Sequence, residues 1–104
     1  MKNLQQNVNN TQELKNLITK NSHLFWFVPD NQKQNLSKES VLETIFNYGD
    51  INAVRDLLRI IGIAEANKIF IDLLNKSDRR KGNFHELTLN FFSVFFSQYA
   101  HRNI

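Results

Sequence analysis

The chain is 104 residues long, with nine phenylalanines, no cysteine and a net charge of +3. This length suits one domain, and the lack of cysteine excludes disulfides, thiolate metal ligands and cysteine nucleophiles. No stretch approaches the ~18 apolar residues that a membrane span requires. Residues 1–10 lack the apolar core of a signal peptide, so we expect a soluble, cytoplasmic protein. The mildly basic charge is weak support for nucleic-acid binding.

The chain begins with an asparagine- and glutamine-rich stretch, residues 1–10, which we interpret as a flexible tail preceding a single helical domain, residues 11–104. Asn10 and Glu13 have the spacing of a capping box. The following apolar stripe predicts a first helix that ends around Asn21 or Ser22. Its members are Leu14, Leu17 and Ile18.

An apolar segment ended by Pro29 follows, residues 23–30. Proline disfavours helical geometry in the residue before it, so we predict an extended or single-turn segment that plugs the core. A β-strand is the competing interpretation, although no second strand is evident to pair with it. Phe25, Trp26 and Phe27 are consecutive, so they cannot all point into one core.

Three further helices are predicted from one-sided apolar stripes at helical spacing. They span residues 38–48, 51–61 and about 64–75. Ser37 and Asp50 are good caps for the first two of these helices. Gly49 and Gly62 stand where a left-handed residue ends a helix.

The last predicted helix is the aromatic segment of residues 84–99, with Asn83 and Glu86 as its capping box. At roughly 100° per residue its apolar side chains cover an arc of roughly 220°, about twice that of an ordinary surface helix. Such a helix is either the central helix of a bundle, surrounded by the others, or a helix with one apolar side left exposed for a partner. We therefore predict a compact all-α bundle of about five short helices with an aromatic C-terminal helix.

The titratable residues do not form a recognisable catalytic or metal site. His23, His85 and His101 have no acid or second histidine at i+3 or i+4. Phosphate-binding loops and nucleophile-elbow motifs are also missing from the sequence. We predict that the protein is not an enzyme and that it uses no cofactor or metal.

Two groups of basic residues could contact an acidic partner or a phosphate. Arg55 and Arg59 lie at i, i+4 on the third helix, opposite its apolar stripe; alternatively they are an exposed pair bonded to Asp56. The second group lies in and before a charged loop and could equally serve to solvate that loop. Its members are Lys76, Arg79, Arg80 and Lys81.

The excess of aromatic residues points to a binding surface, because exposed aromatic patches usually mark interaction sites. We predict that a partner protein docks on four aromatic anchors, whereas the alternative is that the bundle wraps the last helix completely. The predicted anchors are Trp26, Phe92, Phe96 and Tyr99.

Three segments together resemble a small bacterial family of unknown function with a Leu-Phe-Trp-Asp start, a Tyr-Gly-Asp turn and a Thr-Leu-Asn-Phe-Trp end. The matching segments are Leu24-Phe25-Trp26 followed by Asp30, Tyr48-Gly49-Asp50 leading to Leu57-Leu58-Arg59, and Thr88-Leu89-Asn90-Phe91-Phe92. Phe27 replaces the family's acidic residue after the tryptophan, Phe92 stands for its final tryptophan, and its tryptophans before Leu57 are missing.

Members of that family are often encoded beside nucleotidyltransferase-type toxins of the abortive-infection class. The resemblance therefore implies an antitoxin-like protein that binds and neutralises such a toxin. Two alternatives stay open. One is a helix-turn-helix-like DNA-binding regulator, using the turns at Gly49 or Gly62; the other is a homodimeric structural module that uses the same aromatic face on itself.

Overall fold

The computed structural model describes residues 11–76 and 84–102, with side chains as far as Tyr99. These residues contain five α-helices, two 3₁₀ helices and no strand, so the predicted all-α bundle is confirmed. The elements are α1 (Gln12–Lys20), the first 3₁₀ helix (Ser22–Phe25), the second 3₁₀ helix (Asp30–Asn35), α2 (Lys38–Tyr48), α3 (Ile51–Ile61), α4 (Ile63–Lys76) and α5 (Glu86–Arg102). Of the helices described, none is long and apolar enough to cross a membrane. The predicted tail, residues 1–10, lies outside the described residues.

The starts of α2 and α3 are fixed by the caps that the sequence predicts. The Ser37 hydroxyl accepts a hydrogen bond from the Ser40 N–H at 3.2 Å. The Asp50 carboxylate accepts one from the Ala53 N–H at 2.8 Å, and each bond satisfies an otherwise free backbone donor. At α1 the cap is Thr11, whose hydroxyl accepts a hydrogen bond from the Leu14 N–H. The cap thus lies one residue after Asn10, the predicted position.

The two turn glycines serve different purposes. Gly62 has φ 88° and ψ 145°, a conformation that is essentially restricted to glycine, and it joins the end of α3 to the start of α4. Gly49 has φ −77°, so the prediction of a left-handed conformation there was wrong. Instead, a Cβ atom at Gly49 would lie 2.8 Å from the Ile45 carbonyl oxygen and 3.2 Å from the Ala53 Cβ. Glycine is needed because a side chain at this position would collide with the backbone of α2 and crowd Ala53 of α3.

The apolar stripes of α1 to α4 meet in one core. Its most deeply buried aliphatic side chains are Leu14, Ile18, Val41, Leu42, Ile45 and Leu57. Phe25, in the first 3₁₀ helix, is fully buried beside them. The prediction of a single-turn segment that plugs the core is confirmed, and the competing strand does not form.

Helix α5 is held to α2 and α4 by a cluster of five buried phenylalanines. The rings of Phe46 and Phe92 stack with centroids 3.6 Å apart, and those of Phe70 and Phe96 lie 5.3 Å apart. Phe84 precedes α5 and lies 5.0 Å from Phe70. The tilted pairs that Phe70 forms with Phe96 and Phe84 lie within the roughly 4.5–7 Å range of favourable ring contacts, and such pairs each contribute about 0.5–1.5 kcal/mol beyond the area they bury.

A hydrogen bond also fixes the start of α5, because the Asn47 side-chain oxygen accepts from the His85 N–H at 3.0 Å. The His85 carbonyl accepts the first helical bond, from the Leu89 N–H. The predicted cap, Asn83, implies a helix that starts at residue 84, whereas α5 begins two residues later, at Glu86. Asn83 itself lies outside the described residues.

Candidate protein-interaction surface

Among the residues that the structure describes, two groups of large apolar side chains are exposed. The first, which we name the aromatic turn, is Trp26 and Phe27, exposed by 79% and 51%. The second, which we name the α5 seam, is Leu87, Phe91 and Val94, exposed by 83%, 56% and 57%. Single exposed apolar residues also occur on other helices, at Tyr48, Ile51 and Ile71.

The aromatic turn has a defined conformation. Phe25 points into the core, and the Val28 N–H donates to the Phe25 carbonyl at 3.0 Å, which closes the turn. The rings of Trp26 and Phe27 meet edge to face, with centroids 5.8 Å apart and planes at 87°. The indole is therefore presented to solvent from a folded turn, with its neighbour's ring packed against it.

Lys33 connects the two ends of the segment that contains the aromatic turn, residues 22–30. Its ammonium group donates to the Ser22 carbonyl at 3.2 Å and lies 2.9 Å from the Asp30 carboxylate. The hydrogen bond from Lys33 and its positive charge lower the pKa of Asp30 below the ordinary value. Because this pKa is lowered, the pair is fully formed above the ordinary pKa of the carboxyl group and is lost as the pH falls through the lowered one. We name these two contacts of Lys33 the clamp, and its ion pair is therefore intact at neutral pH.

The three residues of the α5 seam form one continuous strip because of their spacing along the helix. Positions 87, 91 and 94 are separated by four and then three residues, which places them on one side of a helix. The Phe91 ring packs edge to face on Phe92 at 4.9 Å and parallel to Phe95 at 6.3 Å. No charged residue occurs between Leu87 and Ala100. The seam is thus an uncharged apolar strip on the side of α5 that faces away from the buried Phe92 and Phe96.

Two of the four predicted aromatic anchors are not on the surface. Phe92 and Phe96 are exposed by only 4% and 3%, because they pack against Phe46 and Phe70. This corrects their assignment as docking residues. Trp26 is exposed as that assignment requires, and Tyr99 is half-buried.

The predicted set of docking residues leaves out Phe27 and the three seam residues. Those on α5 share a signal that could have identified them, namely their position at the edge of the apolar arc farthest from Phe92 and Phe96. The arc itself does not reveal which of its edges the bundle covers, because that depends on where Phe46 and Phe70 lie in space.

The predicted cations fall into two sets. Arg59 lies 3.6 Å from Asp56 on its own helix, and Lys20 of α1 lies 3.8 Å from the same carboxylate. Arg55 is exposed and has no ion-pair partner in the described part of the chain. The two predicted arginines thus differ: within the described residues, Arg59 has an ion-pair partner and Arg55 has none.

The other basic residues lie at the end of α4 and beyond it. Lys76 is exposed at the last position of that helix. Arg79, Arg80 and Lys81 lie outside the described residues, so the contacts predicted for them stay predictions.

Across residues 11–76 and 84–102, no group of three or more His, Cys, Asp or Glu side chains could hold a metal ion. Comparison with known proteins adds no assignment: no family model, no curated protein and no solved structure matches the chain. The resemblance set out above, and the expectation that the protein is not an enzyme, therefore stay predictions.

Proposed function

We propose that this protein is antitoxin-like: it binds a nucleotidyltransferase-type toxin and neutralises it by occluding the partner's active site. The observation that carries the binding role is Trp26, a large aromatic side chain presented to solvent by a clamped turn. Tryptophan is enriched among the residues that dominate binding energy in protein interfaces. The class of partner comes from the resemblance in sequence.

The aromatic turn is suited to docking because its backbone and its rings are already held in place before a partner binds. Its backbone is closed by the Phe25 to Val28 hydrogen bond, and Phe27 packs on the indole. A preformed anchor avoids part of the entropy loss that interface side chains otherwise undergo. Together the two rings offer roughly 250 Å² of exposed surface, about a third of one side of a standard interface.

Basic residues supply the second part of the proposal. Arg55 is available for a new ion pair, and Arg59 and Lys76 are also exposed. A nucleotide-and-metal site is rich in carboxylates, so positive charge on this protein complements it. Arg79, Arg80 and Lys81 extend the same positive charge in sequence.

The test is a pull-down from the source organism with the tagged wild-type protein and two variants. We expect the wild type to recover a stoichiometric nucleotidyltransferase-like protein and Trp26→Ala to recover at least tenfold less of it. Tyr48→Ala, which removes an exposed aromatic ring from α2, is the matched control and should recover as much as the wild type. The purified partner's nucleotidyl transfer should fall on addition of the wild-type protein.

Equal recovery by Trp26→Ala and the wild type would show that the aromatic turn is not the docking site. Recovery of duplex DNA instead of a protein, with affinity that falls steeply as salt rises, would support the regulator alternative. Both variants remove exposed side chains, so their melting temperatures should stay close to that of the wild type.

A further inference from the structure

The α5 seam is a second apolar surface, and it shares no residue with the aromatic turn. Its three side chains form successive layers along one side of α5, at the four-then-three spacing that pairs helices in coiled coils. Beyond Val94 the next position of this spacing is Gln98, so the apolar part ends there. Phe91 is the middle layer, with Leu87 on one side of it and Val94 on the other.

The lack of charge along the seam bears on what can cover it. Between Leu87 and Ala100 the helix carries no acidic or basic side chain, so the seam offers nothing to an oppositely charged partner. In a two-fold interface the same surface of each copy meets itself, so any charge on it would meet an equal charge. Two identical seams carry no charge and can therefore meet without repulsion.

The exposed area of the seam also fits a pair of copies. Its side chains expose roughly 300 Å² of apolar surface, so two seams together bring roughly 600 Å². A small stable interface buries about 1,200 Å² in total, of which somewhat more than half is apolar. Two seams supply most of that apolar area, whereas one seam against a polar surface supplies half as much.

We infer that the α5 seam binds a second copy of this chain, with the two α5 helices antiparallel and crossing at Phe91. Leu87 lies four residues before Phe91 and Val94 three residues after it. An antiparallel crossing therefore sets Leu87 of each copy beside Val94 of the other, with the two Phe91 rings at the two-fold axis. A parallel pair would instead align the two helix dipoles and bring the Glu86 carboxylates together.

Analytical ultracentrifugation of the full-length chain over a range of concentrations tests the dimer. We expect a reversible monomer–dimer equilibrium in the micromolar range, between 12.3 kDa and twice that mass. Phe91→Ser and, separately, Leu87→Ser should weaken the dimer at least tenfold. Ile51→Ser, which removes an exposed apolar side chain from α3, should leave it unchanged. Leu87 is the most exposed residue of the seam, so Leu87→Ser keeps the test valid if Phe91→Ser loses stability.

Cysteine crosslinking tests the antiparallel arrangement, and the absence of native cysteine makes the result direct. In the proposed dimer the two Leu87 positions lie about 12 Å apart along the helix axis, beyond the ~7 Å limit between the Cα atoms of a disulfide. We expect no rapid disulfide with Leu87→Cys alone and a rapid one when Leu87→Cys and Val94→Cys proteins are mixed.

Three results would overturn the inference. One is a chain that stays monomeric up to about 1 mM, which would leave the seam to a different protein. Another is a dimer that Ile51→Ser weakens as much as Phe91→Ser does. The third is a rapid disulfide with Leu87→Cys alone, which would indicate parallel helices. Trp26→Ala must leave the dimer intact, so failure here and failure of the proposed function are separate outcomes.

Discussion

Neighbouring phenylalanines on α5 have opposite environments. Phe92 stacks on Phe46 in the core, whereas Phe91, one position earlier, is half exposed. The same contrast links Phe96, which is buried, to Phe95, which is only partly buried. A step of roughly 100° around the helix is enough to move a ring from the core to its edge. For this reason the effect of a substitution on α5 depends on its position in the helical repeat.

The burial of Phe96 leads to a prediction about stability. Phe96→Ala should lower the free energy of unfolding by about 3–5 kcal/mol, because it leaves a cavity between α4 and α5. Phe91→Ala should lower it by less than about 1.5 kcal/mol, because that ring is already half in water. Urea denaturation of both variants at a concentration where the chain is monomeric measures the difference. Equal losses of stability would show that Phe91 and Phe96 are buried to the same extent.

Local chemistry allowed several residue-level features to be predicted from the sequence. The caps at Ser37 and Asp50 each bond to a backbone N–H only three residues further along the chain, so they can be recognised from the local sequence. Gly49 shows the limit of this reasoning, since its glycine is required by how closely the Ile45 carbonyl and the Ala53 side chain approach it in space. Phe91 and Phe92 show it again, because the choice between them depends on rings of α2 and α4.

At the scale of elements, the second 3₁₀ helix supports the aromatic turn. Lys33 bonds to the carbonyl of Ser22, at the start of the first 3₁₀ helix, and pairs with Asp30 at the start of the second. Its side chain is only 12% exposed. Gln34 donates to the Thr19 hydroxyl of α1 at 2.7 Å. These bonds hold both ends of the segment that carries Trp26.

Replacing Lys33 therefore tests whether the clamp positions the aromatic turn. Lys33→Met keeps the length of the side chain but removes its charge and its donors, and it should lower the free energy of unfolding by about 1 kcal/mol. Amide hydrogen exchange at residues 22–30 should become faster, and partner recovery should fall even though Trp26 is unchanged. Lys38→Met, at an exposed lysine on α2, is the matched control. Unchanged exchange in Lys33→Met would mean that the turn is held by its own packing alone.

At the scale of the whole molecule, the order of the helices and most of their bounds follow from apolar periodicity and turn residues. The bounds of α2 and α3 are as predicted, and those of α4 differ by one residue at each end. The candidate surfaces could not be derived in the same way, because they consist of the apolar residues left uncovered once the helices pack. Trp26 is an exception, since three consecutive aromatic residues cannot share one core.

The two surfaces also lead to a prediction about the assembled complex. Because the aromatic turn and the α5 seam share no residue, one dimer should bind two partner molecules, one at each Trp26. Light scattering of the purified complex should give a mass of two copies of this chain with two of the partner. With Phe91→Ser the complex should shrink to one copy of each while the affinity for the partner stays within about threefold of the wild type. A wild-type complex with one copy of each would mean that partner binding disrupts the dimer, and the partner would then have to reach the seam as well as Trp26.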